Sequence, residues 1–258
     1  MNIVVCLKQT PDTEAKIVVQ ANGKDVEKDK FKYIMSSYDE LAVEEGIKLK
    51  EKFGGTVTVV TVGTTKTHET LRSALAMGAD SAIQIWDDSL ENIDSYVTAK
   101  LLAKAIKNQG FDIVLCGQKA IDTGASLVGG MVAEMLSIPQ VYLVTKLEAV
   151  DETKLLAHRQ IEGGEEVIEV SLPVLITAQR GLNTPRYIKL PDIMKAKKKE
   201  LKTLGLSDLG FSVADVASKV NVVEITLPPA KKAGKIFTNG ESDVAELVKL
   251  LREEAKVI

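Results

Sequence analysis

Short apolar runs alternate with longer stretches whose apolar residues recur three or four positions apart, from the first residue to about position 145. The runs NIVVCL, TVTVVTV, SAIQI and DIVLCG are rich in β-branched residues and apolar on both faces, which predicts strands over residues 3–7, 56–62, 81–85 and 112–117. Between them, residues 39–52, 67–77, 94–108 and 124–136 carry helical spacing, as in Leu41, Val43, Ile47 and Leu49. Glycines at Gly54-Gly55, Gly78 and Gly110 mark their ends. This alternation predicts a doubly wound α/β domain with a mostly parallel sheet.

The pattern then changes. Residues 146–178 predict antiparallel strands, turned at Asp151-Glu152 and Gly163-Gly164. From Gly181 onward the chain is irregular, with a lysine run, a Pro228-Pro229 break and a last helix over 242–254. Too little of that tail is apolar for a core of its own, so it is expected to wrap over its own sheet or a partner. The expected organisation is an α/β nucleotide-binding domain with an antiparallel extension over 1–180, a loop over 181–200 and an arm over 201–258.

Composition narrows the function classes. The 258 residues carry a formal net charge of −3, which argues against bulk attraction to nucleic acid or anionic lipid. The two cysteines, Cys6 and Cys116, sit inside apolar runs and are expected to be buried thiols. No apolar run approaches the roughly 18 residues of a membrane span, and no leader pattern follows Met1, so a soluble, cytoplasmic protein is expected.

In a doubly wound sheet, ligands bind beyond the carboxyl ends of the strands. Four segments meet that condition: residues 8–12, 62–66, Asp87-Asp88 and 117–129. The last, GQKAIDTGASLVGG, leaves a strand through Gly117 and enters a helix through Gly124, Ala125 and Ser126, which would let a phosphate approach the backbone. An ordinary tight βα turn accounts for the same residues equally well. There is no GxGxxG after the first strand and no P-loop. His68 and His158 stand alone, and no triad or metal-ligand spacing appears. Glu40, Glu44 and Glu45 are expected on a solvated helix face. A chain with the outline of a nucleotide site and no catalytic set points to a carrier or regulatory subunit.

Four stretches in order, YDELAVEEGIKLKEK (38–52), ETLRSALAMGAD (69–80), GQKAID (117–122) and LNTPRYIKLPDIMKAKKK (182–199), closely resemble the beta subunit of electron-transfer flavoproteins. The likeness spans the chain. It implies a heterodimer with an alpha subunit that carries the redox-active FAD, and a buried AMP in the beta subunit. The nucleotide positions implied are Cys6, Ser36, Ser37, Tyr38, Asp39 and Val62, followed by the loop Gly117, Gln118, Lys119, Ala120, Ile121, Asp122, Thr123, Gly124, Ala125, Ser126, Leu127 and Val128. Tyr38 matches an aromatic position near the flavin ring.

The resemblance also implies that Leu190 anchors acyl-CoA or related dehydrogenases, with Pro191, Ile193, Met194, Lys195, Lys197 and Lys198 around it. Electrons would pass on to a membrane quinone-linked oxidoreductase, in the cytoplasm or, in a eukaryote, the mitochondrial matrix. Two features depart from the AMP-type pattern: Ser36-Ser37 replaces an Asn-Pro, and Ser126-Leu127-Val128 replaces a polar triplet. They leave open a second FAD in place of AMP. Without a resemblance, the rivals are a nucleic-acid patch on the lysines, which lacks stacking aromatics beyond Tyr187, and a free-standing regulatory nucleotide-binding module.

Overall fold

The β-branched runs build the parallel centre of a sheet in the computed structural model, which describes residues 1–230 and 233–258. In chain order the elements are β1 (Asn2–Cys6), β2 (Gln9–Pro11), β3 (Tyr33–Met35), α1 (Ser37–Phe53), β4 (Thr56–Val62), α2 (His68–Met77), β5 (Ser81–Ile85), α3 (Ser95–Gln109) and β6 (Ile113–Gly117). They continue with α4 (Val128–Leu136), β7 (Gln140–Ala149), β8 (Lys154–Ile161), β9 (Gly164–Ser171), β10 (Val174–Ala178), α5 (Leu190–Ala196), β11 (Leu201–Leu204) and α6 (Val244–Glu253).

Among the described residues the main sheet runs β11-β5-β4-β1-β6-β10-β7-β8-β9, parallel from β11 through β7 and antiparallel from there to the β9 edge. Successive side chains of β1 enter opposite cores. Ile3 and Val5 pack with Leu41, Ile47 and Leu71 from α1 and α2. Val4 and Cys6 pack with Val97, Leu101 and Val132 from α3 and α4. Burial on both faces is why these strands lack a polar side. The expected mostly parallel α/β sheet, flanked by helices, is what forms.

Three expectations change at the element level. Residues 124–127 lie outside α4, because Gly124 and Ser126 have φ of 62° and 55°, a left-handed backbone that a right-handed helix cannot contain. β10 is not antiparallel; it lies parallel between β6 and β7, and all five of its residues are buried, as an interior strand requires. Leu201–Leu204 pairs with β5 as the other sheet edge, a strand too short and too polar at its flanks to stand out in the sequence.

Two compact units result. The main one comprises Met1–Val18 with Glu27–Val223, so Leu204, Leu206, Leu209 and Val216 are part of a buried core rather than of an arm. The second comprises Val19–Val26 with Glu224–Ile258. It is tied by a Val19–Val26 bridge and by the Ile225 N–H donating to the Gly23 carbonyl at 2.8 Å, and it carries α6, in which Val244, Leu247 and Val248 are exposed.

Candidate functional site

The strand order reverses beside β1, with β4 on one side and β6 on the other, and the carboxyl ends of strands at such a switch point are where doubly wound sheets bind ligands. The expected nucleotide positions gather there. Cys6 ends β1, Val62 ends β4 and Gly117 ends β6. Ser36 precedes α1; Ser37, Tyr38 and Asp39 form its first turn. Gln118, Lys119, Ala120, Ile121, Asp122, Thr123, Gly124, Ala125, Ser126 and Leu127 form the loop into α4, whose first residue is Val128.

Asp39 holds this region together. Its carboxylate is buried and accepts the backbone N–H of Lys8 at 2.8 Å and of Gly117 at 2.9 Å, one on each oxygen. One side chain thereby ties the ends of β1 and β6 to the start of α1. Burial pushes its carboxyl from 3.8 up to about 7, only partly offset by the two N–H donors and the Lys8 ammonium. Gly117 has no freedom to be anything larger, because a Cβ there would overlap Asp39 Oδ1. Lys8 reaches across the mouth to Asp122 at 2.7 Å.

The loop before α4 suits an anion. No side chain caps α4, so no side chain competes for the N–H groups of its first turn. Gly124 faces open space, and its φ of 62° is what calls for glycine. The Gln118 amide donates to Ser126 Oγ at 3.2 Å, which leaves the hydroxyl hydrogen available to a ligand. Lys119 and Arg180 lie over the half-buried Tyr38 ring, 6.0 and 5.7 Å from its centre. Arg180 was not among the expected residues; its one signal is its place just past the apolar run of β10.

Cys6 and Cys116 are register partners and both buried; hydrogen bonding to Cys6 and burial push the Cys116 thiol well above its usual range. Both are buried free thiols, as expected. His68 pairs with Gln84 at 2.7 Å and His158 with Glu165 at 2.8 Å. Among the described residues no group of acidic, histidine or cysteine side chains could hold a metal ion, and no helix is long and apolar enough to cross a membrane.

The second predicted surface lies elsewhere on the main unit. Leu190 and Pro191 open α5, and Leu190 is 74% exposed, Met194 57% and Ile193 43%. Tyr187, just before the helix, is 88% exposed. Lys195, Lys197 and Lys198 are exposed around them. Lys199 departs from this set: its ammonium donates to the carbonyls of Leu75 and Ala79 at 2.9 and 2.5 Å, and burial pushes its pKa down.

Glu44 and Glu45, expected in solvent, are buried. The Arg186 guanidinium forks onto both oxygens of Glu44 at 2.9 and 3.0 Å and bonds Glu51 at 2.6 and 3.1 Å. Asn183 donates to Glu45 and to the Leu41 carbonyl at 2.8 and 3.0 Å. Partners about 140 residues downstream turn an apparently solvated helix face into an interface.

A family model described as "Electron transfer flavoprotein domain" matches residues 26–209. The chain is 48% identical to "Electron transfer flavoprotein subunit beta" of Bacillus subtilis, covering the whole of both. It is 42% identical to the beta subunit of Thermoanaerobacterium thermosaccharolyticum over 97% of this chain and 98% of that one. With the beta subunit of Homo sapiens the identity is 36%, over 98% of each. The chain belongs to the electron transfer flavoprotein family, and along its whole length it is similar to the family's beta subunits.

Proposed function

We propose that this chain is the non-catalytic beta subunit of a heterodimer, holding AMP at the switch point and presenting α5 to flavin dehydrogenases. The observation that carries the nucleotide half is the uncapped start of α4 behind a loop open at Gly124 and Ser126, set beside the Asp39 tie. A phosphate would take the N–H groups of that first turn and the Ser126 hydroxyl, while Lys8 and Lys119 supply positive charge. The FAD belongs to the alpha subunit and supplies the redox chemistry. This chain's part is to place Tyr38, flanked by Lys119 and Arg180, toward it.

The docking half rests on Leu190, Ile193 and Met194, exposed together within a collar of lysines. That pairing of apolar centre and charged rim suits a partner with an acidic-rimmed apolar pocket. Electrons would pass from an acyl-CoA or related dehydrogenase to the alpha subunit's FAD, and then to a quinone-linked acceptor at the membrane. The exposed apolar face of α6 in the second unit is the natural part of the chain to lie on the alpha subunit.

A second reading, FAD in this chain's own site, is favoured by Leu127, which is 49% exposed at the loop where a polar ligand to AMP is expected. Co-purification with the alpha subunit followed by acid release and chromatography separates them. One FAD and one AMP per heterodimer is the expected result. Two FAD and no AMP would establish the second reading, and one FAD with no AMP would overturn the nucleotide assignment.

A further inference from the structure

Helix α5 has seven residues and buries only one of them, Ala196. A helix that short has almost no stability of its own, and a cleft of about 440 Å³ lies along it, lined in part by Met77, Tyr187, Lys189 and Asp192. Besides its packing against α2, it is tied at both ends. At the front, Arg186 is fixed on Glu44 and Glu51 and its backbone N–H also donates to Glu44, at 3.1 Å. At the back, the Arg72 guanidinium of α2 donates to the Ala196 and Lys199 carbonyls at 2.6 and 2.8 Å. The first is the last carbonyl of α5, which also accepts the Lys199 N–H at 3.2 Å, and the second lies three residues beyond the helix. Lys199 returns the favour to the end of α2 and the turn beyond it, through the Leu75 and Ala79 carbonyls.

We propose that Arg186 and Arg72 are positioning residues for docking: they clamp the 187–196 segment at both ends, so that its apolar side chains meet a partner already ordered. The inference rests on the docking reading given above. Ordering the segment before encounter spares the binding step the entropy of fixing it, so loosening a clamp should weaken encounter and leave transfer within the complex unchanged.

The test uses the heterodimer with its alpha subunit and an acyl-CoA dehydrogenase as electron donor. The variants are Arg72→Met and the pair Glu44→Gln with Arg186→Gln, which leaves no lone buried charge. Leu190→Ala serves as the docking control. Hydrogen–deuterium exchange of peptides within 187–196 should speed up at least tenfold in both clamp variants, with peptides of β1 and β6 unchanged. The KM for the heterodimer should rise about tenfold, with kcat within twofold and FAD content intact. Unchanged exchange in 187–196 would overturn the proposal, and so would faster exchange with an unchanged KM while Leu190→Ala raises it. If Leu190→Ala leaves the KM unchanged, the docking reading falls. The exchange data then decide by themselves whether the arginines order the segment.

Discussion

Asp39 and Glu44 are buried carboxylates five residues apart on one helix, and their surroundings differ in kind. Asp39 is met by two backbone N–H groups at strand ends; Glu44 is met by the guanidinium fork of Arg186. Dipoles fixed in the backbone leave Asp39 with a raised pKa, because they offset only part of the cost of taking its charge out of water. A full counter-charge in bidentate geometry is the stronger partner, and Glu51 and Glu44 together push the Arg186 pKa further up. The difference suits the two tasks. Asp39 aligns main chain around the proposed nucleotide site, and Glu44 fastens a distant segment of chain to α1.

The largest expected effect concerns pH. Over the window from about 4 to about 7 the folded chain keeps a proton on Asp39 that the unfolded chain has released, so the folded state binds more protons. Raising the pH across that window should therefore lower stability, by up to ~4 kcal/mol if the whole shift is expressed. Below the window the loss is absent, and above it the loss is complete. Thermal unfolding of the ligand-free chain at a series of pH values should show this slope, and Asp39→Asn should remove it. An unchanged slope in the variant would mean that the N–H donors fully compensate the charge and that the contrast with Glu44 is false.

Arg186→Met comes next. It strands Glu44 in a buried position and should cost about 3 kcal/mol, read from urea unfolding. Adding Glu44→Gln should recover part of that loss. Equal stability of the single and double variants would show that Glu44 does not depend on its partner's charge. Gly117→Ala should cost about 1–3 kcal/mol, because the added methyl drives Asp39 off its two donors. The nucleotide content of the purified heterodimer should fall with it, and a variant with normal melting temperature and full AMP would break the link between tie and site.

Leu190→Ala should have the smallest effect on stability, within ~0.5 kcal/mol, since the side chain is already in solvent. Transfer from a dehydrogenase should still fall roughly tenfold, the consequence of losing an anchor of a little over 1 kcal/mol. A melting temperature lowered by several degrees with intact transfer would remove Leu190 from the docking surface.

How much of this could be read without coordinates depends on the range of the interactions. Strands of apolar, β-branched residues announce themselves within five to seven positions, and β1, β4, β5 and β6 fall within a residue or two of where periodicity puts them. The ends of α1, α2 and α3 are marked by glycines that adopt positive φ, a local property. Elements set by distant partners were not legible. β11 exists because β5 offers an edge, and β10 runs parallel because β6 and β7 leave a gap between them. Glu44 and Glu45 look like any charged helix face until Asn183 and Arg186 arrive from far along the chain.

The sequence by itself therefore determined the α/β class, the positions of the central elements and the run of small residues ahead of α4. Each follows from side-chain period, volume or backbone freedom within a short window. Only the tertiary structure decided that Asp39 ties β1 to β6, that Arg180 and Lys119 cover Tyr38, and that Arg72 and Arg186 hold α5 at its two ends. Those contacts join residues tens to more than a hundred positions apart, and a burial or a counter-charge of that reach exists only once the chain has folded.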